Sequence, residues 1–215
     1  MRTSVTRLCL VRHGETTWNA ERRIQGQIDV PLNAAGLAQA GALARGLAPL
    51  PITAIYSSDL TRARQTALPV ARTLDLPVRY EVELRERHFG LFQSLTREQA
   101  ARCHPEAYAR FDRRDAACNL VSGESLLDLA ARVRRVLTRI AAAHRGETVL
   151  VVTHGGALDI CYRPATGSTL ETARDFALPN AALNWVEHEH EHGRWQIVRW
   201  GDNAHLLESL DELPG

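Results

Sequence analysis

The chain contains no lysine, so all 26 of its basic residues are arginines. This absence excludes a P-loop lysine, a Schiff-base lysine and a lysine general base. Arginine presents several donors in one planar group and binds the oxygens of phosphate and carboxylate groups well. The 25 acidic residues leave a formal net charge of only +1, which does not favour nucleic acid or an anionic membrane surface as a partner.

Cysteine is infrequent, with four residues and no pair at CxxC spacing. The pattern gives no disulfide framework and no zinc site, and it fits a reducing compartment. No hydrophobic run reaches the length of a membrane span, and the charged N-terminal stretch lacks the apolar core of a secretion signal. A chain of 215 residues, 45% of them hydrophobic, can bury one sizeable core. The composition therefore predicts a soluble, cytoplasmic, single-domain protein over residues 1–215.

Short apolar runs alternate with helical patterns along most of the chain. This alternation predicts a three-layer α/β/α sandwich, with a mostly parallel central sheet and helices on both faces. The last two runs flank a polar segment and predict a hairpin. Residues from about 85 to 122 are the least regular, and we expect an irregular helical insertion there, over one end of the sheet. The predicted strands cover residues 7–11, 52–58, 147–154, 181–187 and 195–200.

Helical patterns fill the intervals between these runs. One begins after Asn33, a good N-cap residue. Another includes Pro69, which we expect to kink or end it. A helical region in the insertion is expected to break near Pro105, and residues 125–144 predict a long amphipathic helix with arginines on its polar face.

Two His-Gly pairs follow predicted strands, in the motifs CLVRHGE and LVVTHGG. The carboxyl ends of parallel strands meet at one edge of a sheet, where ligands bind. His13 and His154 are therefore expected to lie together, with Arg12 beside them and Arg62 in the first turn of the helix after a third strand. Two histidines, two arginines and a helix N-terminus predict a pocket for a dianion.

The tract HEHEH, His188 to His192, is a weaker candidate site. Alternating histidines on an exposed hairpin bind a transition metal weakly. A solvated turn between two strands explains the same residues and is the better interpretation. We therefore expect no metal.

Five motifs in one order carry a resemblance to a known family: LVRHGETTWN, SSDLTRARQTA, LRERHFG, SGESLLDLAARV and VLVVTHGGAL. Together they resemble the histidine phosphatase superfamily, in the branch that includes the cofactor-dependent phosphoglycerate mutases. The resemblance implies the phosphoglycerate mutase-like fold. It extends from about residue 7 to 161, with weaker similarity near the C-terminus.

The resemblance implies a role for each matching residue. His13 matches the histidine that becomes phosphorylated, and Arg12, Arg62 and His154 match the residues that hold the phosphoryl group. Glu86 matches the acid that protonates the leaving oxygen. Without the family, a surface carboxylate paired with Arg85 or Arg87 explains Glu86 at least as well. Further candidates for binding phosphate or substrate are Asn19, Gln25, Gly26, Arg87, Phe89, Arg97, Arg113, Arg114 and Gly155.

The chemistry of phosphate esters fits these residue types. Phosphate monoesters hydrolyse very slowly without a catalyst, and a covalent phosphohistidine divides the reaction into two easier displacements. Neighbouring arginines keep His13 neutral and stabilise the charge on the transferring group. A carboxyl group close to a phosphate dianion favours its protonated form, so that Glu86 can act as a general acid. The pocket needs no metal and no other cofactor.

A phosphatase and a mutase use this pocket differently, because a mutase returns the phosphoryl group to a hydroxy acid and excludes water. The segment DAACNLVSGES is much shorter than the insertion that the mutases carry there. We therefore predict a phosphatase for a small phosphorylated metabolite, with a cofactor-dependent phosphoglycerate mutase as the alternative. Only the mutase would need 2,3-bisphosphoglycerate as a primer. A non-catalytic phosphate-binding protein is a third hypothesis, and a homodimer is left open.

Overall fold

The computed structural model describes residues 5–208, and a six-stranded sheet lies at its centre. Its strands are β1 (Val5–Arg12), β2 (Ile52–Ser57), β3 (Val78–Tyr80), β4 (Thr148–Thr153), β5 (Leu183–Glu189) and β6 (Arg194–Asp202). They lie in the order β3-β2-β4-β1-β5-β6. The first four are parallel, whereas β5 pairs antiparallel with both β1 and β6. The predicted mostly parallel sheet with a terminal hairpin is confirmed.

Helices cover both faces of the sheet, as expected for parallel strands joined by crossovers. On one face, α6 and α7 pack against side chains such as Leu8, Leu10 and Val149. On the other face, α2 and α3 pack against Cys9 and Val11, among others. The helices are α1 (Thr17–Ala20), α2 (Ala34–Leu47), α3 (Thr61–Leu74), α4 (Arg97–Cys103), α5 (Pro105–Asp112), α6 (Leu126–Ala143), α7 (Gly155–Thr166) and α8 (Ala204–Glu208).

Two local predictions about helices have different outcomes. Asn33 caps α2, because its side-chain oxygen accepts a hydrogen bond from the Gly36 amide at 2.8 Å. Pro69 does not end α3, which continues to Leu74. That helix ends where Asp75 adopts the left-handed conformation, with φ of 52°. The three-residue strand β3 and the single turn α1 were not predicted from the sequence.

The segment between β3 and α6 contains two short 3₁₀ turns, Val82–Leu84 and Gly90–Phe92, and the helices α4 and α5. It has a small core of its own, built around Phe92, Ala100, Cys118 and Leu120. The break between its two helices lies at His104, immediately before Pro105, as predicted. This segment therefore folds over side chains of its own and does not extend the central sheet.

Candidate active site

The ends of two neighbouring parallel strands bring the two histidines together. Arg12 is the last residue of β1 and pairs in register with Thr153, the last residue of β4. His13 and His154 follow directly, and their ring centroids are 5.1 Å apart. Both side chains are buried, at 3% and 0% exposure. The sheet register thus places at one point two residues that are 141 positions apart in the sequence.

The orientation of the His13 ring identifies its free nitrogen. Nδ1 lies 2.7 Å from the carbonyl oxygen of Gly14, which can only accept a hydrogen bond. Nδ1 therefore carries the proton, and Nε2 keeps its lone pair. The backbone is fixed as well: the His13 amide donates to the Thr153 carbonyl at 3.0 Å, and Asn180 donates to the His13 carbonyl at 2.8 Å. The ring is held as a nucleophile would be, with one nitrogen anchored and the other free.

Arg62 lies in the first turn of α3 and is completely buried. Its two terminal nitrogens donate to backbone carbonyls, to Ile28 at 2.9 Å and to Gly26 at 2.7 Å. Gly26 has a φ of 54°, which favours glycine at this position. Burial lowers the pKa of Arg62 to about 10, while the charges of Glu86 and Asp29 act in the opposite direction. The guanidinium therefore stays charged at neutral pH.

Several buried side-chain nitrogens lack a hydrogen-bond partner at this point. Across residues 5–208, five buried side-chain polar atoms lack one, and three of them are Arg12 Nε, Arg62 Nε and His154 Nδ1. Other nitrogens of the same side chains do have partners. Arg12 Nη1 donates to the Leu178 carbonyl, and His154 Nε2 lies 2.8 Å from Ser58 Oγ. An unsatisfied buried polar group is costly, whereas an oxyanion accepts from several donors at once. These groups fit a bound phosphoryl group.

The electrostatic environment keeps both histidines neutral. Burial, followed by the charges of Arg62 and Arg12, lowers the pKa of His13 well below its usual range. Burial also lowers the pKa of His154, and the charge of Arg62 adds to the effect. Neutral imidazole is the form that can attack phosphorus.

The Glu86 carboxylate is held by two backbone amides, that of the next residue and one at the start of α7. It accepts from the Arg87 amide at 2.7 Å and from the Gly156 amide at 3.0 and 3.1 Å. A Cβ at Gly156 would collide with Glu86 Oε1, so a larger residue there would displace this carboxylate. The Arg132 side chain donates to the Glu86 carbonyl at 3.3 Å and to the Arg85 carbonyl at 2.7 Å. Glu86 is thus fixed beside the buried pocket rather than paired with a surface arginine.

A cavity of about 400 Å³ opens from this point toward the segment 85–122. Arg12, Glu86 and Gly155 line its inner end. The remaining wall includes Phe89 and Phe111, with the Arg97 guanidinium over the Phe111 ring at 5.5 Å. The arginines along the wall are Arg12, Arg87, Arg97, Arg114 and Arg174. The cavity is therefore predominantly cationic and is large enough for a small metabolite.

The other candidates from the sequence lie in different places. Asn19 accepts hydrogen bonds from Thr16, the N-cap residue of α1, and Gln25 is buried with its Oε1 unpartnered. Arg87 lines the cavity but also donates to the Cys118 and Glu124 carbonyls. Arg113 is exposed at the end of α5 and is not part of the cavity wall, whereas its neighbour Arg114 is.

Three residues of the site were not found by sequence reasoning. Arg132 lies on the polar side of α6, where arginines are usually solvated, yet its side chain is only 15% exposed. Asp159 and Arg174 line the cavity from α7 and from the loop after it. No local pattern marks these positions, because Arg132 contacts Glu86 across 46 residues and Asp159 contacts Arg114 across 45 residues of the sequence.

The HEHEH tract is not simply a solvated turn. His188 belongs to β5, and its ring lies 4.5 Å from that of Trp195. His188 is only 5% exposed, so the expectation of a fully solvated tract was wrong for this residue. Within the described chain, the one group of side chains with metal-binding geometry is Glu189, Glu191 and His192, and it lies at the surface of this hairpin, away from the cavity. We also find no helix among residues 5–208 that is both long and apolar enough to span a membrane.

Known proteins resemble this chain over nearly its whole length. A metal-independent phosphoserine phosphatase from Arabidopsis thaliana is 44% identical over 206 residues, covering 94% of this chain and 84% of the relative. Phosphoglycerate mutase-like protein 4 from the same plant is 40% identical, covering 94% and 87%. The structure of Bacillus stearothermophilus YhfR matches with a TM-score of 0.87 at 31% identity, covering 94% of this chain and 99% of that one.

The family profile agrees with the geometry of the site. The profile of the histidine phosphatase superfamily, branch 1, matches residues 8–203. That range includes both strand-end histidines, Arg62 and Glu86. The chain therefore belongs to the histidine phosphatase superfamily and is a phosphatase of the phosphoglycerate mutase-like group.

Proposed function

We propose that this chain hydrolyses small phosphate monoesters through a phosphohistidine on Nε2 of His13. The observation that carries the proposal is the set of buried, unpartnered nitrogens on Arg12, Arg62 and His154 beside a neutral histidine. Donors of this kind stabilise the charge that spreads over the phosphoryl oxygens in the transition state. The ring of His13 needs no reorientation, because Gly14 already holds its other nitrogen.

In the first step, the lone pair of His13 Nε2 forms a bond to phosphorus while the bond from phosphorus to the ester oxygen breaks. The departing alkoxide takes a proton from Glu86 in its acid form. The three buried donors hold the phosphoryl oxygens during the transfer. The products of this step are the alcohol, the phosphohistidine and a Glu86 carboxylate.

In the second step, water attacks phosphorus and the bond between phosphorus and His13 breaks. The Glu86 carboxylate takes a proton from the attacking water, which restores the acid form. Inorganic phosphate leaves, and His13 is again neutral. One residue thus acts first as the acid and then as the base.

Transfer to water is favoured over transfer to a second hydroxy acid. Only a short connection joins Arg114, after α5, to Ser125, the N-cap of α6, so no long insertion closes the cavity there. The similarity to a metal-independent phosphoserine phosphatase agrees with this preference. The phosphoglycerate mutase-like relative keeps the mutase as the alternative function.

The proposed mechanism needs no metal ion. Arginines supply the positive charge at the inner pocket, and the Arabidopsis phosphoserine phosphatase that resembles this chain is itself metal-independent. Activity should therefore survive dialysis against EDTA. Loss of activity that one divalent ion restores would contradict the proposed mechanism. The cytoplasmic location and the possible homodimer remain predictions from the sequence.

The deciding experiment is a phosphatase screen on O-phosphoserine, phosphoglycerates, sugar phosphates and nucleoside monophosphates. Interconversion of 2- and 3-phosphoglycerate is assayed in parallel, with and without 2,3-bisphosphoglycerate. We expect release of inorganic phosphate from at least one small ester, with little isomerisation. Isomerisation that clearly exceeds phosphate release would establish the mutase instead, and binding without turnover would establish a phosphate-binding protein.

A further inference from the structure

Two charged residues of the motif SGESLLDLAARV, Glu124 and Arg132, form an ion pair against the segment that carries Glu86. The Arg132 guanidinium donates to both carboxylate oxygens of Glu124, from Nε at 2.7 Å and from Nη2 at 2.6 Å. Both side chains are only 15% exposed. The motif contributed to the family resemblance, but no chemical role followed from it.

The remaining donors of Arg132 bind backbone carbonyls on the N-terminal side of this segment. Nη1 donates to the Glu83 carbonyl at 2.8 Å and to the Arg85 carbonyl at 2.7 Å, and Nη2 donates to the Glu86 carbonyl at 3.3 Å. A guanidinium has five N–H groups, and all five are used here. Gln27 also donates to the Glu86 carbonyl, at 3.1 Å. One side chain therefore holds three of four successive carbonyls.

Glu124 holds the two residues that follow Glu86. Its amide donates to the His88 carbonyl at 2.8 Å, and its carbonyl accepts from Arg87 Nε at 2.7 Å. Its Oε2 also accepts from the His88 amide at 3.3 Å. A Cβ at Gly123 would lie 2.7 Å from the His88 carbonyl oxygen, so this turn packs directly against the segment. The ion pair thus holds the chain on both sides of the acid.

The position of the Glu86 carboxyl group depends on this backbone. Residues 85–89 belong to no helix or strand, so no regular backbone hydrogen bonds fix their direction. The Arg87 amide, which donates to Glu86 Oε1 at 2.7 Å, is part of the same segment. A proton donor acts only within hydrogen-bond reach of the atom that it protonates, and a displacement of about 1 Å can cost two orders of magnitude in rate. Support of this backbone is therefore support of the acid.

Two further arginines of α6 bind the same segment in a different way. Arg135 donates to the Glu83 carboxylate, and Arg139 donates to the carboxylates of Glu81 and Glu83. These contacts join one side chain to another, and the two arginines are 64% and 52% exposed. Exposed ion pairs of this kind contribute little. Arg135 is therefore a matched control for Arg132, on the same helix and against the same segment.

We propose that the ion pair of Arg132 and Glu124 positions Glu86 for proton transfer to the leaving oxygen. Glu86 lines the cavity, whereas Arg132 and Glu124 are not part of its wall within residues 5–208. They are positioning residues, because they act through Glu86 and do not touch the substrate. The inference rests on the proposed phosphatase function and gives the motif SGESLLDLAARV a part in the reaction.

The test measures how strongly each variant depends on the leaving group. The leaving-group ratio is kcat/KM for nitrophenyl phosphate divided by kcat/KM for the alkyl phosphate that the wild-type protein hydrolyses fastest. Both values report the step in which the leaving group departs, so breakdown of phosphohistidine does not affect them. We expect the ratio to rise at least about tenfold in Arg132→Lys, which keeps the charge but has too few donors for Glu124 and the three carbonyls. Glu124→Gln should also raise the ratio, and Arg135→Ala should leave it unchanged.

The double variant Glu86→Gln/Arg132→Lys distinguishes positioning from a separate role. Once the acid is absent, a displaced backbone has no proton donor to misplace, so the double variant should have the ratio of Glu86→Gln alone. Effects that multiply would overturn the inference. Equal losses on both esters in Arg132→Lys and Glu124→Gln would also overturn it, because a purely structural ion pair gives that result. Circular dichroism checks the fold, and if Arg132→Lys does not fold, Glu124→Gln decides, since it keeps the shape of the side chain.

Failure of the inference can be separated from failure of the proposed function. A raised ratio in Glu86→Gln, with unchanged ratios in Arg132→Lys and Glu124→Gln, would contradict the inference alone. Turnover of nitrophenyl phosphate that disappears in His13→Ala supports the phosphatase whatever the ratios show. A wild-type protein that hydrolyses neither ester would contradict the proposed function and the inference together.

Discussion

The inner pocket, formed by Arg12, His13, Arg62 and His154, and the outer arginine pair, Arg114 and Arg174, are built differently. The inner residues follow the ends of neighbouring strands, and backbone carbonyls hold three of them. The outer pair comes from two irregular segments and meets only through Asp159. The inner side chains range from buried to partly buried, whereas Arg174 is 40% exposed.

This difference separates chemistry from selectivity. Backbone carbonyls of a central sheet and its loops cannot shift far, so the groups that contact phosphorus keep their geometry. An arginine held by one carboxylate at the edge of a cavity can change without disturbing the sheet. We therefore expect inner variants to affect every substrate alike and outer variants to affect only some substrates.

The largest effect is expected from His13→Ala, which should abolish turnover of every ester. The His13 ring is anchored through Nδ1 and keeps Nε2 free, beside the unpartnered nitrogens of Arg12, Arg62 and His154. Rapid quenching without acid, with labelled substrate, should trap an acid-labile, base-stable adduct in the wild-type protein. Persistence of that adduct in His13→Ala would assign the nucleophile to another residue.

Glu86→Gln should produce the next largest effect, and one that depends on the leaving group. An alkyl alkoxide needs the proton, so we expect a loss of roughly a hundredfold or more for alkyl phosphates. Nitrophenolate is a stable anion, and its ester should lose much less, provided that breakdown of phosphohistidine is not limiting. Steady-state kinetics on both esters measures the difference. Equal losses would mean that Glu86 positions the substrate, and His154 would be the next candidate for the acid.

Arg62→Lys should lose at least about tenfold in kcat/KM although the charge is kept. A lysine cannot donate to the Ile28 and Gly26 carbonyls and also present the Nε donor to the ligand. The loss should be similar for O-phosphoserine and O-phosphoethanolamine, as expected for a residue of the inner pocket. A variant as active as the wild-type protein would place Arg62 outside the site.

The smallest effect concerns stability at low pH. His13 and His154 are neutral in the folded protein, whereas in the unfolded chain they bind protons below about pH 6.5. The unfolded state then binds more protons, so the free energy of unfolding falls as the pH decreases below that value. Each histidine contributes about 1.4 kcal/mol per pH unit in this range.

Replacement of one histidine should therefore make the pH dependence shallower. We expect the free energy of unfolding of His154→Gln to change by about 1.4 kcal/mol per pH unit less than that of the wild-type protein between about pH 6.5 and 5. Urea denaturation at several pH values measures both slopes. Parallel slopes would show that His154 is already protonated in the folded protein.

Local patterns predicted the parts of the fold that depend on neighbours in the sequence. The N-cap at Asn33, the break before Pro105 and a first strand that ends at the RHG motif each follow from a few adjacent residues. The prediction that Pro69 ends or kinks its helix was wrong about the end, because packing of α3 against the sheet carries the helix on to Leu74. Tertiary contacts here outweigh the loss of one backbone hydrogen bond.

The sequence by itself determined the inner pocket, because parallel strands always present their carboxyl ends at one edge, and each end carries its histidine or arginine in a short motif. The tertiary structure alone decided the protonated nitrogen of His13, the support of Glu86 by Arg132 and the grouping of Arg114 and Arg174 on Asp159. These features depend on contacts between residues far apart in the chain. Hydrogen bonds of this kind follow from packing and leave no local pattern in the sequence.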